Sequence, residues 1–320
     1  MVLGPVVALL TQSLYHGHSY TPASYVKWLE MAGGRVMLVP YDAAIEDVDA
    51  IFNQTNGVLF IGGGSAVPDA ARRFYANTVA AHARGDIYPI WGTCDGFEWL
   101  MQIAAEDDAI LANGFDSENI SLPLNLTAAA PHSALLADAA SIPIQGSIWR
   151  TDSAGAAPTT LLSALGTLPL TLNNHVNGVT PQDFARSKPL SSSFEVLATN
   201  RDRKGREFVS VVEGKHGLPV WATQWHPEKN IFEQARAPGH WWPFEAIAHT
   251  RSAVAVSQYL ANYFVDACRA STHRFADATE EWRHLVYHQR TSTAMAPGFV
   301  QVYILRGAAE EIEQAEEALP

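Results

Sequence analysis

An α/β architecture, a mostly parallel sheet covered by helices, follows from three features of the chain. The first hundred residues alternate short continuous apolar runs with patterns of helical period, which is how strands buried on both faces and their crossover helices read. Glycines stand where strands or helices end, at Gly33-Gly34, Gly62-Gly63-Gly64 and Gly92-Thr-Cys94-Asp-Gly96. A chain of 320 residues with 48% hydrophobic content can also enclose one large core.

Taken in order, Val6 to Leu10 is the first buried strand. Its apolar run is too short for a membrane span and lacks the basic n-region and cleavage site of a signal peptide. Thr21-Pro22 supplies an N-cap and first-turn proline for a helix carrying Tyr25, Val26, Leu29 and Ala32, which Gly33-Gly34 ends. Val36 to Val39 is a strand, Asp42 to Gln54 a helix, Val58 to Ile61 a strand, and Pro68 to Arg84 a helix. From about residue 105 to 190 the Ala-, Ser- and Pro-rich sequence reads as short strands and loops over the sheet. Phe194 to Thr199 and Phe208 to Val212 form a hairpin across Asn200 to Gly205, followed by a strand from Val220 to Trp225. Trp242 to Phe264 predicts a long helix, and Glu310 to Glu317 a solvated acidic tail. Residues 1–270 are assigned to a catalytic domain and 271–320 to an extension packing on it.

A net charge of -12 argues against non-specific nucleic-acid binding and against an anionic membrane surface. Two cysteines supply no disulfide framework, and Cys268, in a helical apolar pattern, reads as structural. The sequons at Asn53, Asn119 and Asn125 suit a secretory route without establishing one.

Cys94 lies between a strand and a helix in Gly92-x-Cys94-x-Gly96, the pattern of a nucleophile elbow. The glycines predict an exposed thiol, and the following helix N-terminus predicts a bias toward thiolate. A thiol nucleophile needs a base. Gln224-Trp-His226-Pro-Glu228 offers one at a strand end, with Glu228 to orient the imidazole. The amides of Gly62, Gly63 and Gly64, with that of Asp95, are candidate oxyanion donors. A phosphate loop is disfavoured because neither a Walker lysine nor Gly-x-Gly-x-x-Gly follows.

These two motifs together resemble the class I glutamine amidotransferases and, within that superfamily, the γ-glutamyl hydrolase (folylpolyglutamate hydrolase) family. The resemblance covers most of the chain, including Ala23 to Glu30, Asn56 to Phe60, Leu122 to Thr127, Asn174-His175, Phe194 to Asn200 and Gln301 to Ile304. Glu98 is the distinguishing position, since amidotransferases typically carry Gln there.

The resemblance implies a three-layer α/β/α hydrolase that cleaves folyl or antifolyl poly-γ-glutamate through Cys94, His226 and Glu228 and a thioester, without metal or organic cofactor. It implies substrate-binding roles for Glu98 and His175, a homodimer, and residence in the lysosome, the vacuole or outside the cell, with the cytoplasm as the other possibility. The rival enzyme reading is a glutaminase domain feeding ammonia to a synthetase. A binding protein that kept the fold is the non-catalytic one.

Two features depart from what the resemblance implies. Asp95 is a carboxylate where an apolar residue is common, and it tends to raise the thiol pKa. The protein is itself anionic, so local cations must recognise the substrate. Lys229, Arg72 and Arg73 lie nearest the motifs, although surface solvation is their ordinary role.

Overall fold

The structure, a computed structural model, describes residues 3–144 and 159–305. The acidic tail read at 310–317 and Pro158 lie outside them.

Eight strands form the main sheet in the order Arg35–Val39, Val6–Leu10, Val58–Phe60, Ile90–Thr93, Val220–Thr223, Glu207–Gly214, Phe194–Arg201, Asn125–Leu126. The first five run parallel, and the last three add antiparallel to that edge. Side chains alternate across the first strand: Val7 and Leu9 enter one apolar cluster, Val6, Ala8 and Leu10 the other. Both faces are therefore buried, which is why the run is continuously apolar rather than alternating with polar residues. The Ala23–Met31 and Arg251–Arg269 helices cover one face. The Ile45–Gln54, Asp69–Ala83 and Asp95–Ala105 helices cover the other. This is the three-layer α/β/α arrangement.

Several local expectations need correction. Thr21-Pro22 does not cap the first helix but ends the strand Ser19–Pro22, and the Thr21 hydroxyl bonds the Pro22 carbonyl. That strand pairs with Val302–Leu305, so backbone pairing from the far end of the chain decides its conformation. The second helix starts at Ile45, with Glu46 and Asp47 in its first turn, where they complement the helix dipole. The 105–190 region contains not only short strands and loops but helices at Leu161–Thr167, Pro181–Arg186 and Lys188–Ser193, each opened by a hydroxyl N-cap. The long helix begins at Arg251, capped by Thr250, rather than at Trp242. Cys268 is fully buried on it. Among the described residues no helix is long and apolar enough to cross a membrane.

The sheet positions the site through close backbone approach at the Ile90–Thr93 strand end. A Cβ at Gly96 would lie 2.2 Å from the Phe60 carbonyl oxygen, and one at Gly92 would lie 2.6 Å from that of Gly96. Only glycines let the Asp95–Ala105 helix seat against both strands. Gly96→Ala is therefore expected to lower unfolding stability by about 2–3 kcal/mol, read as a reduced urea midpoint; an unchanged midpoint would contradict this packing.

Candidate active site

Cys94 joins the Ile90–Thr93 strand to the helix after it, with φ 54° and ψ -106°. Its amide donates to the Thr223 carbonyl at 2.8 Å, and its carbonyl accepts from Glu98 N at 3.0 Å. The elbow is thus tied at once to the neighbouring strand and to its own helix. Thr223 ends that neighbouring strand, and the chain turns through Gln224 and Trp225 to His226. His226 Nδ1 lies 2.8 Å from Glu228 Oε1, with Glu228 1% exposed. A Cβ built on Gly62 would stand 3.2 Å from Cys94 Cβ and 2.7 Å from His226 Cε1. Cys94 Cβ and the imidazole therefore flank one point, at a position where only glycine fits.

Cys94 is not the exposed thiol expected. It is 4% exposed and reached from a cavity of about 420 Å³, whose wall includes Gly63, Gly64, Glu98, Glu118 and His175. Burial, then the carboxyl groups of Glu98, Asp95 and Glu228, push the thiol well above its ordinary value, while Lys229 opposes them. The expected bias toward thiolate is thus outweighed. Such surroundings favour the thiol over the thiolate.

The glycine loop after Val58–Phe60 is held from several sides. Gly62 N–H donates to the Tyr25 hydroxyl at 2.8 Å, so this amide is already engaged. Gly63 and Gly64 line the cavity beside Cys94. Ser65 N donates to Asp95 Oδ2 at 3.0 Å, Gln12 Nε2 to the Ile61 carbonyl at 3.0 Å, and Trp99 Nε1 to the Ser65 carbonyl at 3.0 Å. Asp95 thereby acquires a physical role, pinning the loop to the elbow helix. Burial raises its carboxyl to about 7.

Glu98 and His175 share the far wall. Glu98 accepts from Gln224 Nε2 at 2.9 Å; burial and the nearby Asp95 raise it to about 8. His175 Nδ1 meets the Asn177 carbonyl at 2.6 Å and must donate there, which leaves Nε2 as a bare acceptor with no partner among the described residues. Burial lowers its imidazole to about 4, so it is neutral.

None of the three proposed cations lines this cavity. Arg72 pairs with Asp108 and Arg73 with Asp49. Lys229 is not surface-solvated as expected: it is 3% exposed and bonds both oxygens of Glu245, at 2.6 and 2.8 Å. No group of three or more His, Cys, Asp or Glu suited to a metal occurs among the described residues.

Tyr25 escaped the sequence reading. Its hydroxyl accepts from Gly62 N–H and lies 3.3 Å from His226 Nδ1. A buried tyrosine on a helix stripe reads as packing, and its sequence distance of 201 residues from His226 hides the contact. Gln12, Trp99 and Glu245 were missed for the same reason.

A cysteine elbow beside a carboxylate-held histidine, on a sheet of this order, defines a class I glutamine amidotransferase-type protein. The family model for class I glutamine amidotransferases matches residues 16–238. γ-Glutamyl hydrolase B of Dictyostelium discoideum is 33% identical, covering 94% of this chain and 82% of that protein. The γ-glutamyl hydrolase of Homo sapiens is 34% identical, covering 94% and 89%, and γ-glutamyl hydrolase 1 of Arabidopsis thaliana is 30% identical, covering 89% and 76%. The chain belongs to the γ-glutamyl hydrolase family, and it is an enzyme.

The raised Glu98 carboxyl generates a prediction about folding. A group that binds its proton more tightly when folded favours the folded state fully below its unfolded pKa, here near 4.5, and loses that advantage as pH rises to about 8. Glu98→Gln removes this titration. Melting temperature followed from pH 4.5 to about 8 should fall less steeply in the variant than in the parent; parallel curves would rule out a buried, proton-holding Glu98.

Proposed function

We propose that the protein is a cysteine hydrolase of γ-glutamyl bonds in folyl or antifolyl poly-γ-glutamates, acting through Cys94, His226 and Glu228. The observation that carries the reading is the convergence of the Cys94 elbow and the Glu228-held imidazole of His226 on the same side of Gly62. The family named by the relatives supports the bond type.

In this mechanism His226 Nε2 takes the Sγ proton as sulfur attacks the γ-carbonyl carbon. The carbonyl π pair moves onto oxygen, and the amides of Gly63, Gly64 and Asp95 donate to that oxyanion. Collapse of the intermediate breaks the C–N bond, and the imidazolium delivers its proton to the departing amine nitrogen. Water then attacks the thioester with His226 as base. The acyl product leaves as a carboxylic acid and Cys94 regains its proton. Glu228 fixes the imidazole through Nδ1 and stabilises its charged form.

Glu98 and His175 position the substrate. With its proton on, Glu98 can donate to a substrate α-carboxylate, which an ionised side chain would repel. His175 Nε2 can accept a hydrogen bond from a substrate N–H. The lysosomal, vacuolar or extracellular location and the homodimer implied by the resemblance belong to this proposal as well; sedimentation equilibrium checks the dimer.

The decisive experiment is a chromatographic time course on a defined pteroyl-poly-γ-glutamate, with glutamine as a parallel substrate. Shortening of the tail supports the proposal. Ammonia release from glutamine with the folate tail intact would replace it with the glutaminase reading. Cys94→Ala and His226→Ala should each lose several orders of magnitude in turnover, because members of such a unit fail together. Tyr25→Phe removes only a hydroxyl shared by Gly62 and His226, so a fall in kcat of about tenfold is expected with KM little changed; an effect confined to KM would place Tyr25 outside the catalytic step.

A further inference from the structure

Beside the cavity, residues 235–244 fold back on themselves, with Phe244 N donating to the Ala235 carbonyl at 2.8 Å and Ala237 N to the Trp242 carbonyl at 3.1 Å. The turn is closed by His240 N on the Ala237 carbonyl at 3.0 Å, with Gly239 at φ 76°. At its tip Trp241 is 86% and Trp242 58% exposed, and Phe244 is also exposed. Indoles left in water at a built turn forgo the burial that normally stabilises them. Both rings nevertheless have a fixed neighbour: the Arg236 guanidinium lies 4.8 Å from the Trp241 ring centre, and the His240 ring stacks on Trp242 at 3.7 Å.

The turn is anchored to the cavity wall. Ala246 N donates to Asn119 Oδ1, Ser121 Oγ to the Ala246 carbonyl, and Asn174 Nδ2 to Glu245 Oε1 at 3.3 Å. Asn174 itself lines the cavity, as does Glu118, next to Asn119. The stalk is braced from below by the buried Lys229–Glu245 pair. The stem of the aromatic turn therefore adjoins the cavity wall at Asn174.

We propose that Trp241 and Trp242 form a stacking platform for a planar aromatic group carried by the substrate, at the mouth of the catalytic cavity. The inference rests on the γ-glutamyl reading and adds a subsite to it. Three exposed side chains fall far short of the roughly 800 Å² per partner that a stable protein interface buries, whereas they suit a single flat ring system. Charge points the same way. The cavity presents Asp95, Glu98 and Glu118 and no lysine or arginine among the described residues, while the turn adds Arg236, which has no carboxylate partner among them. A chain of γ-linked glutamates capped by an aromatic acyl group matches that order, with its α-carboxylate near the guanidinium and its ring on the indoles.

The test uses two γ-glutamyl-glutamate substrates that differ only in the cap on the first α-nitrogen, 4-aminobenzoyl or acetyl. The wild-type enzyme should favour the aromatic cap about three- to tenfold in kcat/KM, chiefly through KM. In Trp241→Ala/Trp242→Ala this ratio should fall to near one, and Trp241→Phe/Trp242→Phe should keep most of it. A ratio unchanged in the alanine variant overturns the platform, including the case in which that variant instead loses self-association in sedimentation. If neither substrate is cleaved, the hydrolase reading fails separately. Calorimetric titration of the 4-aminobenzoyl compound then decides: weaker binding to the alanine variant sustains the platform, and equal binding rejects it.

Discussion

Everything at the candidate site depends on the backbone conformation of Cys94. A non-glycine residue at φ 54° and ψ -106° sits in a sparsely populated region and costs of order 1–3 kcal/mol. It persists because its surroundings determine it several times over. The Cys94 amide is committed to Thr223 and its carbonyl to Glu98, while Gly96 is pressed against the Phe60 carbonyl too closely for any side chain. The bond to Thr223 ties the neighbouring strand end to the elbow, and the chain leaving Thr223 brings His226 to the same Gly62 position that Cys94 flanks.

Electrostatically the site is arranged against a resting thiolate. Three carboxyl groups and burial favour the neutral thiol, and two of those carboxyls are themselves raised to about 7 and about 8. Burial raises both carboxyls, and the neighbouring Asp95 adds to the rise at Glu98, because in a poorly solvated pocket each group is less unfavourable when it holds its proton. This runs against the simple inference from the helix N-terminus, because desolvation and three acidic neighbours all act in the other direction.

Legibility in the sequence followed the range of the interactions. Cys94, with its glycines, and His226, with Glu228, lie in short runs whose chemistry is local, and these residues converge in the structure. The alternation of buried strands was readable because both faces of Val6–Leu10 are covered. Thr21-Pro22 misled because a partner strand nearly three hundred residues away fixes its backbone. Trp242 misled differently: an aromatic residue at helical spacing reads as core, yet here it tops an exposed turn. Tyr25 and Gln12 hold the glycine loop through contacts that no local pattern encodes. Asp95 looked adverse from its charge alone, and only the position of the Ser65 amide explains it.

Lys229 connects the cysteine site to the aromatic turn. It follows the His-Pro-Glu run directly and is the one cation that lowers the Cys94 thiol. Burying an ammonium group costs several kcal/mol unless it is paired, and Glu245 supplies the pair with two short bonds. Glu245 is also the point where the aromatic turn meets Asn174 on the cavity wall. The need to neutralise one buried charge close to His226 in the chain therefore bears on where the turn is anchored. Removing the lysine would leave Glu245 buried without its ammonium partner, so charge balance at Cys94 and the placement of the tryptophans are bound to the same ion pair.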